Sequence, residues 1–186
     1  MNASVVIGLS AVVVAIRDGE AVVLTVRPHD AVTDVASPLS GLPFGPFDPE
    51  AHRTFELGLR AFVTQQTRFQ LGYVEQLYTF GDKGREAPRA EVGAGAARVV
   101  SVGYLGLTPK AVDTDAPDTA WAPWSRFFPW EDWRNGRPAL LDDAIAPALR
   151  RWAGEDAARW SRARLAFALD GAPWNEERVL ERYELL

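Results

Sequence analysis

Cysteine is absent from the 186 residues, which excludes a disulfide framework, a thiolate zinc site and a cysteine nucleophile. Histidine is nearly absent: His29 and His52 are too few for a histidine-rich metal centre. Positive charge is also short. Twenty Lys and Arg stand against 25 Asp and Glu, a formal net charge of -5. That is not the footprint of a domain that grips a phosphate backbone, since such binding relies on clustered Lys and Arg that release counterions. A long hydrophobic run is missing as well. The apolar start "MNASVVIGLSAVVVAI" has no basic flank, is broken by Arg17-Asp18-Gly19 and is too short to span a bilayer. It reads as a buried strand, and a cytoplasmic protein without a membrane partner is expected. What remains is ordinary for a folded chain: 47% hydrophobic residues supply a core, and the length suits one domain with an extension.

The run "SVVIGLSAVVVAI" is β-branched and nearly continuous, as a central strand would be. Asp18-Gly19 suits the positive φ of a hairpin turn, and "AVVLTVR" follows as a second strand. "PHDAVTDVASPLSGLPFGPFDP" is rich in Pro, Gly, Ser and Asp and reads as loop. The period then changes: Phe55, Leu59, Phe62 and Val63 predict an amphipathic helix over 50–66. "LGYVEQLYTF" and "ARVVSVGYLGL" are two more strands around a Gly/Ala-rich loop. A tryptophan-rich stretch over 121–133 precedes a long helix expected from Asp142 as N-cap through Trp160, with Pro147 tolerated in its first turn. "LAFAL" reads as a short strand, and "WNEERVLERYELL" as a helix capped by Asn175 with Val179, Leu180 and Tyr183 on one face. Together these predict an α+β chain, an α/β/α sandwich on a mixed β-sheet with a C-terminal helical extension.

Hairpin strands, then "LPFGPFDP", then a helix ending "QQTRF" resemble the Nudix domain, whose motif is G-x5-E-x7-R-E-U-x-E-E-x-G-U, with U a bulky aliphatic. In that family glutamates on one helical face hold magnesium over a diphosphate. Placing Thr67-Arg68-Phe69 on the motif's x-G-U puts Gln65 and Gln66 on its two adjacent glutamates. Ala61 and Phe62 then stand on the R-E pair and Arg53 on the first glutamate, while Gly45 matches the loop glycine after a short insertion. Each motif carboxylate is thus replaced. Glutamine is a neutral isostere with far weaker affinity for a hard cation. Glu56 is the one acid left inside the helix and Glu50 lies at its start, too little clustered charge for metal-assisted hydrolysis. No catalytic and no metal-binding residue is therefore assigned, and Mg2+ is a cofactor only if the chain is a divergent hydrolase using Glu50, Glu56 and outlying acids such as Asp48, Asp82 or Glu86.

"YVEQLYTFGDKGRE" followed by "RVVSVGYLGLTP" is similar to the Nudix-related transcriptional regulators of NAD metabolism, the NrtR type. The resemblance implies a Nudix-like domain over 1–137 that senses ADP-ribose or a related metabolite without hydrolysing it. "RARLAFALDGAPWNEERVLERYELL" resembles the junction at which that family's winged helix begins, so 138–186 is expected to be linker and its start. The resemblance further implies a homodimer that reaches DNA only through a region beyond this chain. The "QQTRF" ending and the four tryptophans of 121–133 depart from the family pattern.

A pocket that holds a nucleoside diphosphate sugar without metal needs cationic donors for phosphate and a flat face for the base. Arg27, at the end of the second strand, can pair bidentately with a phosphate, or be a solvated strand-end arginine. Arg60 can reach phosphate, or pair with Glu56 one helical turn back. Phe44, Phe47, Tyr78 and Phe80 are candidates for stacking adenine, a contact of roughly 1–3 kcal/mol per base; core packing is the other reading of Tyr78 and Phe80. Asp82 and Arg85 begin a loop after a strand end, a gate over the ligand or a polar turn. The Trp-rich stretch reads equally well as an interface or as a flap over a core.

Overall fold

The computed structural model describes residues 5–27, 41–81 and 98–186. The chain divides into two compact units, Met1–Trp124 and Ser125–Leu186.

The first unit is built around β1 (Val5–Arg17), the middle of a six-stranded mixed sheet. Asp18 and Gly19, at φ 52° and 80°, form the left-handed turn expected there and lead into β2 (Glu20–Val26), which pairs antiparallel with β1. On the other side β5 (Arg98–Leu107) runs parallel to β1, from Val5 opposite Arg98 to Val14 opposite Leu107. β4 (Tyr73–Phe80) pairs with β5, and β6 (Thr119–Pro123) pairs with β2, giving the order β4-β5-β1-β2-β6. The short β3 (Phe44–Pro46) pairs with the first half of β1.

Alternate residues of β1, namely Leu9, Ala11 and Val13, are buried against α1 (Phe55–Thr67) in one cluster with Leu24, Leu59, Phe62, Val63 and Val102. Strand period two and helix period 3.6 meet there, which is why the apolar stripe of the helix was readable. The helix begins later than the spacing predicts. Asp48 accepts the N–H groups of Glu50 and Ala51 and holds residues 48–52 in a separate turn, so Glu50 lies outside the helix. Thr54 is the N-cap, accepting from the Leu57 N–H at 3.2 Å.

In the second unit the single long helix expected from Asp142 is several pieces. A π turn over Leu141–Ile145 runs into α2 (Ala146–Ala153), with Pro147 in the first turn of α2. Gly154 breaks the run, and Asp156 caps α3 (Ala157–Ala166) by accepting from Ala158 and Arg159. Asp142 is not a cap; it sits inside the π turn, paired with Arg137 at 2.9 Å. "LAFAL" is not a strand: Leu165 and Ala166 finish α3, and Ala168 turns the chain at φ 50°. Asn175 does accept from the Glu177 N–H, as expected, ahead of α4 (Val179–Leu185). The apolar face expected of that helix is exposed, and the side chain it buries is Arg182.

Arg182 organises this unit. It is 0% exposed, and it donates to both carboxylate oxygens of Glu131, at 2.5 and 2.8 Å. It also donates to the carbonyls of Ala166, Asn175 and Glu176, so Nε and both Nη groups are engaged, and its guanidinium lies 3.9 Å from the Trp174 ring centre. Around it Leu141, Ile145, Leu149, Ala163, Phe167 and Leu169 form the core, faced by Trp130, Trp133, Trp160 and Trp174. Trp121, by contrast, packs edge-on against Phe69 in the first unit. Of the Trp-rich stretch, Trp121 thus packs on the core of the first unit and Trp130 and Trp133 on that of the second, while Trp124 is 47% exposed.

Candidate functional site

The site forms where β2 leaves β1. Past Val26 the chain departs, and Gly41 returns to exchange two 2.8 Å backbone hydrogen bonds with Val26. Ala11 then donates to the Pro43 carbonyl, and β3 takes over the edge of β1 with Phe44 opposite Ser10. This places Phe44–Pro46 beside the C-terminal half of α1. The approach is close: a Cβ on Gly45 would stand 2.9 Å from the ring of Phe62, so only glycine fits.

Gln66 ties the two elements together. Its Oε1 accepts the Phe44 N–H at 3.3 Å, and its Nε2 donates to the Phe44 carbonyl at 2.7 Å. A glutamate could accept the first bond but, ionised, has no proton for the second. Its neighbour Gln65 is exposed and borders the same cleft. Arg68, which falls on the motif's glycine, takes the left-handed conformation at φ 55° and closes α1 by donating its N–H to Thr64. That is the conformation for which a helix end usually employs glycine.

The opposite wall is the segment entering β6. Arg27 donates its backbone N–H to the Asp118 carbonyl at 2.8 Å, continuing the ladder in which Val26 faces Thr119. Trp121, whose Nε1 donates to Val112, braces the preceding loop. The result is a cleft of about 460 Å3 lined by Val26, Arg27, Phe44–Pro46, Phe62, Gln65, Gln66 and Ala116–Asp118. That is a volume typical of small-molecule sites. Among the described residues its charged lining is one arginine and one aspartate, 3.8 Å apart and largely exposed, at 72% and 60% of their side chains.

Of the residues singled out from the sequence, Arg27 and Phe44 meet in this cleft. Phe47 instead packs edge-on against Phe55 at the margin of the core. Arg60 pairs with Glu56 at 2.9 Å and donates to the carbonyls of Leu71 and Gly72, fastening α1 to the loop before β4. Tyr78 and Phe80 form an edge-to-face pair on β4, at the far edge of the sheet from β6, with Tyr78 64% exposed. Asp82, Arg85 and Glu86 lie outside the described residues. Sequence reading missed Asp118 and assigned Phe62 to the core alone; it is both core and cleft floor. The cross-strand register of β2 and β6 is what brings Asp118 in, and no local motif announces that.

A hard divalent ion prefers charged oxygen ligands. The three helix residues that line the cleft, Phe62, Gln65 and Gln66, present a phenyl ring and two neutral amides, one of them engaged at both ends by main chain. Among the described residues no three His, Asp or Glu side chains gather as a metal centre needs. Asp48, in the turn before the helix, is held below the usual carboxylate range by the N–H groups of Glu50 and Ala51 and serves that turn.

A mixed sheet with one helix laid across its split strand defines a Nudix-like α+β fold. The NUDIX domain of Shewanella oneidensis NrtR, solved with ADP-ribose, matches it at a TM-score of 0.52, covering 80% of this chain and 89% of that one at 22% identity. The whole Shewanella oneidensis NrtR structure covers 96% of this chain and 83% of its own, at 19% identity and a TM-score of 0.49. At such identities the likeness is one of fold. No protein-family model matches the sequence, and no curated protein does either. No described helix is long and apolar enough to cross a membrane.

Proposed function

We propose that the cleft binds a nucleotide derivative of the ADP-ribose kind without metal and without hydrolysing it, and that the chain is the effector-sensing part of a transcriptional regulator. The observation that carries this reading is the Gln66 clasp on Phe44. At a position where the Nudix motif has a metal-binding glutamate, this helix uses a group whose amide donor a carboxylate lacks. The helix is thereby kept for the shape of the cleft: it seats Phe44 as an aromatic wall and leaves Gln65 and Arg27 to meet polar groups of the ligand. The NrtR domain of the same fold was solved with ADP-ribose, which makes that compound the first probe. A ligand alters regulation only by preferring one geometry of the regulator over another. The partners that go with this reading are the nucleotide, a second copy of the chain, and DNA contacted through a region outside these 186 residues.

Calorimetric titration of ADP-ribose, once with Mg2+ and once with EDTA, tests it. A saturable isotherm that is the same in both, with the ligand recovered intact, is expected. Sustained heat and AMP in the magnesium run would replace the sensor with a divergent Nudix hydrolase. No heat in either run would withdraw this ligand.

A further inference from the structure

Among the described residues Arg27 is the one cation lining the cleft, and the sheet supplies its competitor. Val26 faces Thr119 across the β2–β6 ladder, and the next rung is the Arg27 N–H donating to the Asp118 carbonyl. Cross-strand neighbours share a face of the sheet, so backbone register sets Asp118 beside Arg27. The pair stands at 3.8 Å, longer than a charge-assisted hydrogen bond, with both side chains mostly in water. Arg27 is thus loosely held and free to turn to a phosphate, but an arriving phosphate also meets the carboxylate.

We infer that Asp118 is a specificity-determining residue of the cleft: it competes with an anionic ligand for Arg27 and repels further negative charge, so that binding strength falls as ligand charge rises. This rests on the cleft being the ligand site, as proposed above, but the gate itself depends only on Arg27, Asp118 and an anion. The remaining lining, Phe44, Phe62, Gln65 and Gln66, is neutral and is indifferent to ligand charge. The ligand class it favours is a nucleotide derivative whose negative charge is low or partly cancelled by a cation of its own.

Titrations of the whole chain and its Asp118→Asn form test this, with ADP-ribose, inorganic pyrophosphate and uncharged adenosine as probes. Asp118→Asn should tighten ADP-ribose by up to about fivefold, the discounted size of one nearby like charge at an exposed site, and leave adenosine within about twofold. In an Arg27→Gln background the gain from Asp118→Asn should fall below about threefold, since most of what the carboxylate withholds is then gone. An equal gain for adenosine, or no gain for ADP-ribose, overturns the gate. Should ADP-ribose bind neither protein, the sensing proposal fails and pyrophosphate decides: a gain on Asp118→Asn keeps the gate, and no gain removes it.

Discussion

In Met1–Trp124 the interior is mostly aliphatic: Leu9, Val13, Leu24, Leu59 and Val63, with Phe62 and Tyr104, fill the space between one sheet face and one helix. In Ser125–Leu186 the largest fully buried side chain is an arginine, ringed by a carboxylate, three carbonyls and an indole. The first interior depends on shape and area, so the loss of one side chain is absorbed in part by its neighbours. The second depends on a charge whose partners come from Glu131, Ala166 and the 175–176 turn, and the loss of either charge strands the other. A sheet sums many contacts along its strands. A unit of short helices and turns has fewer, and a five-donor guanidinium joins several segments at a single point.

The largest effect that would break this comparison is at Arg182. Arg182→Ala should cost about 3–5 kcal/mol, because it leaves Glu131 buried and unpaired. Five of the seven tryptophans lie in the second unit, so fluorescence follows this loss, while the sheet signal in circular dichroism should persist. Replacing the pair together, Arg182→Met with Glu131→Leu, should recover most of the stability; failure to recover would show that the carbonyl contacts matter more than the ion pair. Next is Leu59→Ala in the first unit, expected to cost about 3 kcal/mol and to show in the far-ultraviolet signal with little change in tryptophan emission.

Gln66→Glu should cost about 1–3 kcal/mol at neutral pH, as the carboxylate faces the Phe44 carbonyl without a proton to donate. The introduced acid would have its folded pKa raised, so the clasp is present below the ordinary glutamate value of about 4.3 and lost as pH rises through the higher folded value. Melting temperatures of the two proteins should therefore converge toward pH 4 and separate toward pH 7. Added Mg2+ should not close the gap.

The smallest effect is acid sensitivity of the second unit. Hydrogen bonds from Arg134 and Arg137 hold Asp132 and Asp142 below the usual carboxylate range. Burial pushes Glu181 up, but Arg162 and Arg178 together outweigh it and hold it low. Groups with depressed folded values add stability above their unfolded pKa and lose it as pH falls through the folded one. Tryptophan emission should accordingly change at a slightly higher pH than the sheet signal, and raising salt should shrink the difference because these pairs are mostly at the surface.

Much of the first unit was legible because its signals are local. The β-branched runs of β1 and β2, the Asp18-Gly19 turn and the stripe Leu59, Phe62, Val63 each lie within a few residues of what they specify. Arg27 and Phe44 could be picked out because strand ends and Gly/Pro loops are where ligand contacts gather. The rest depended on distant partners. Gln66 looks like a lost carboxylate until Phe44, 22 residues away, is seen between its two amide atoms. Asp118 enters the cleft through a cross-strand register, and Arg182 is buried by an acid 51 residues earlier. "LAFAL" misled for another reason: five apolar residues fit strand or helix equally, and only the left-handed Ala168 decides for a turn.

The clasp on Phe44 also bears on which protein variants natural selection can reach. A carboxylate centre on this helix would require several substitutions, and the step at Gln66 loosens the wall of the cleft before any ion is present to compensate. The change at Gln66 is therefore disfavoured from the start, while changes at Gln65, Arg27 or Asp118 leave the wall standing. Gln66 thus fixes one position of the helix, while its neighbours along the cleft are free to vary.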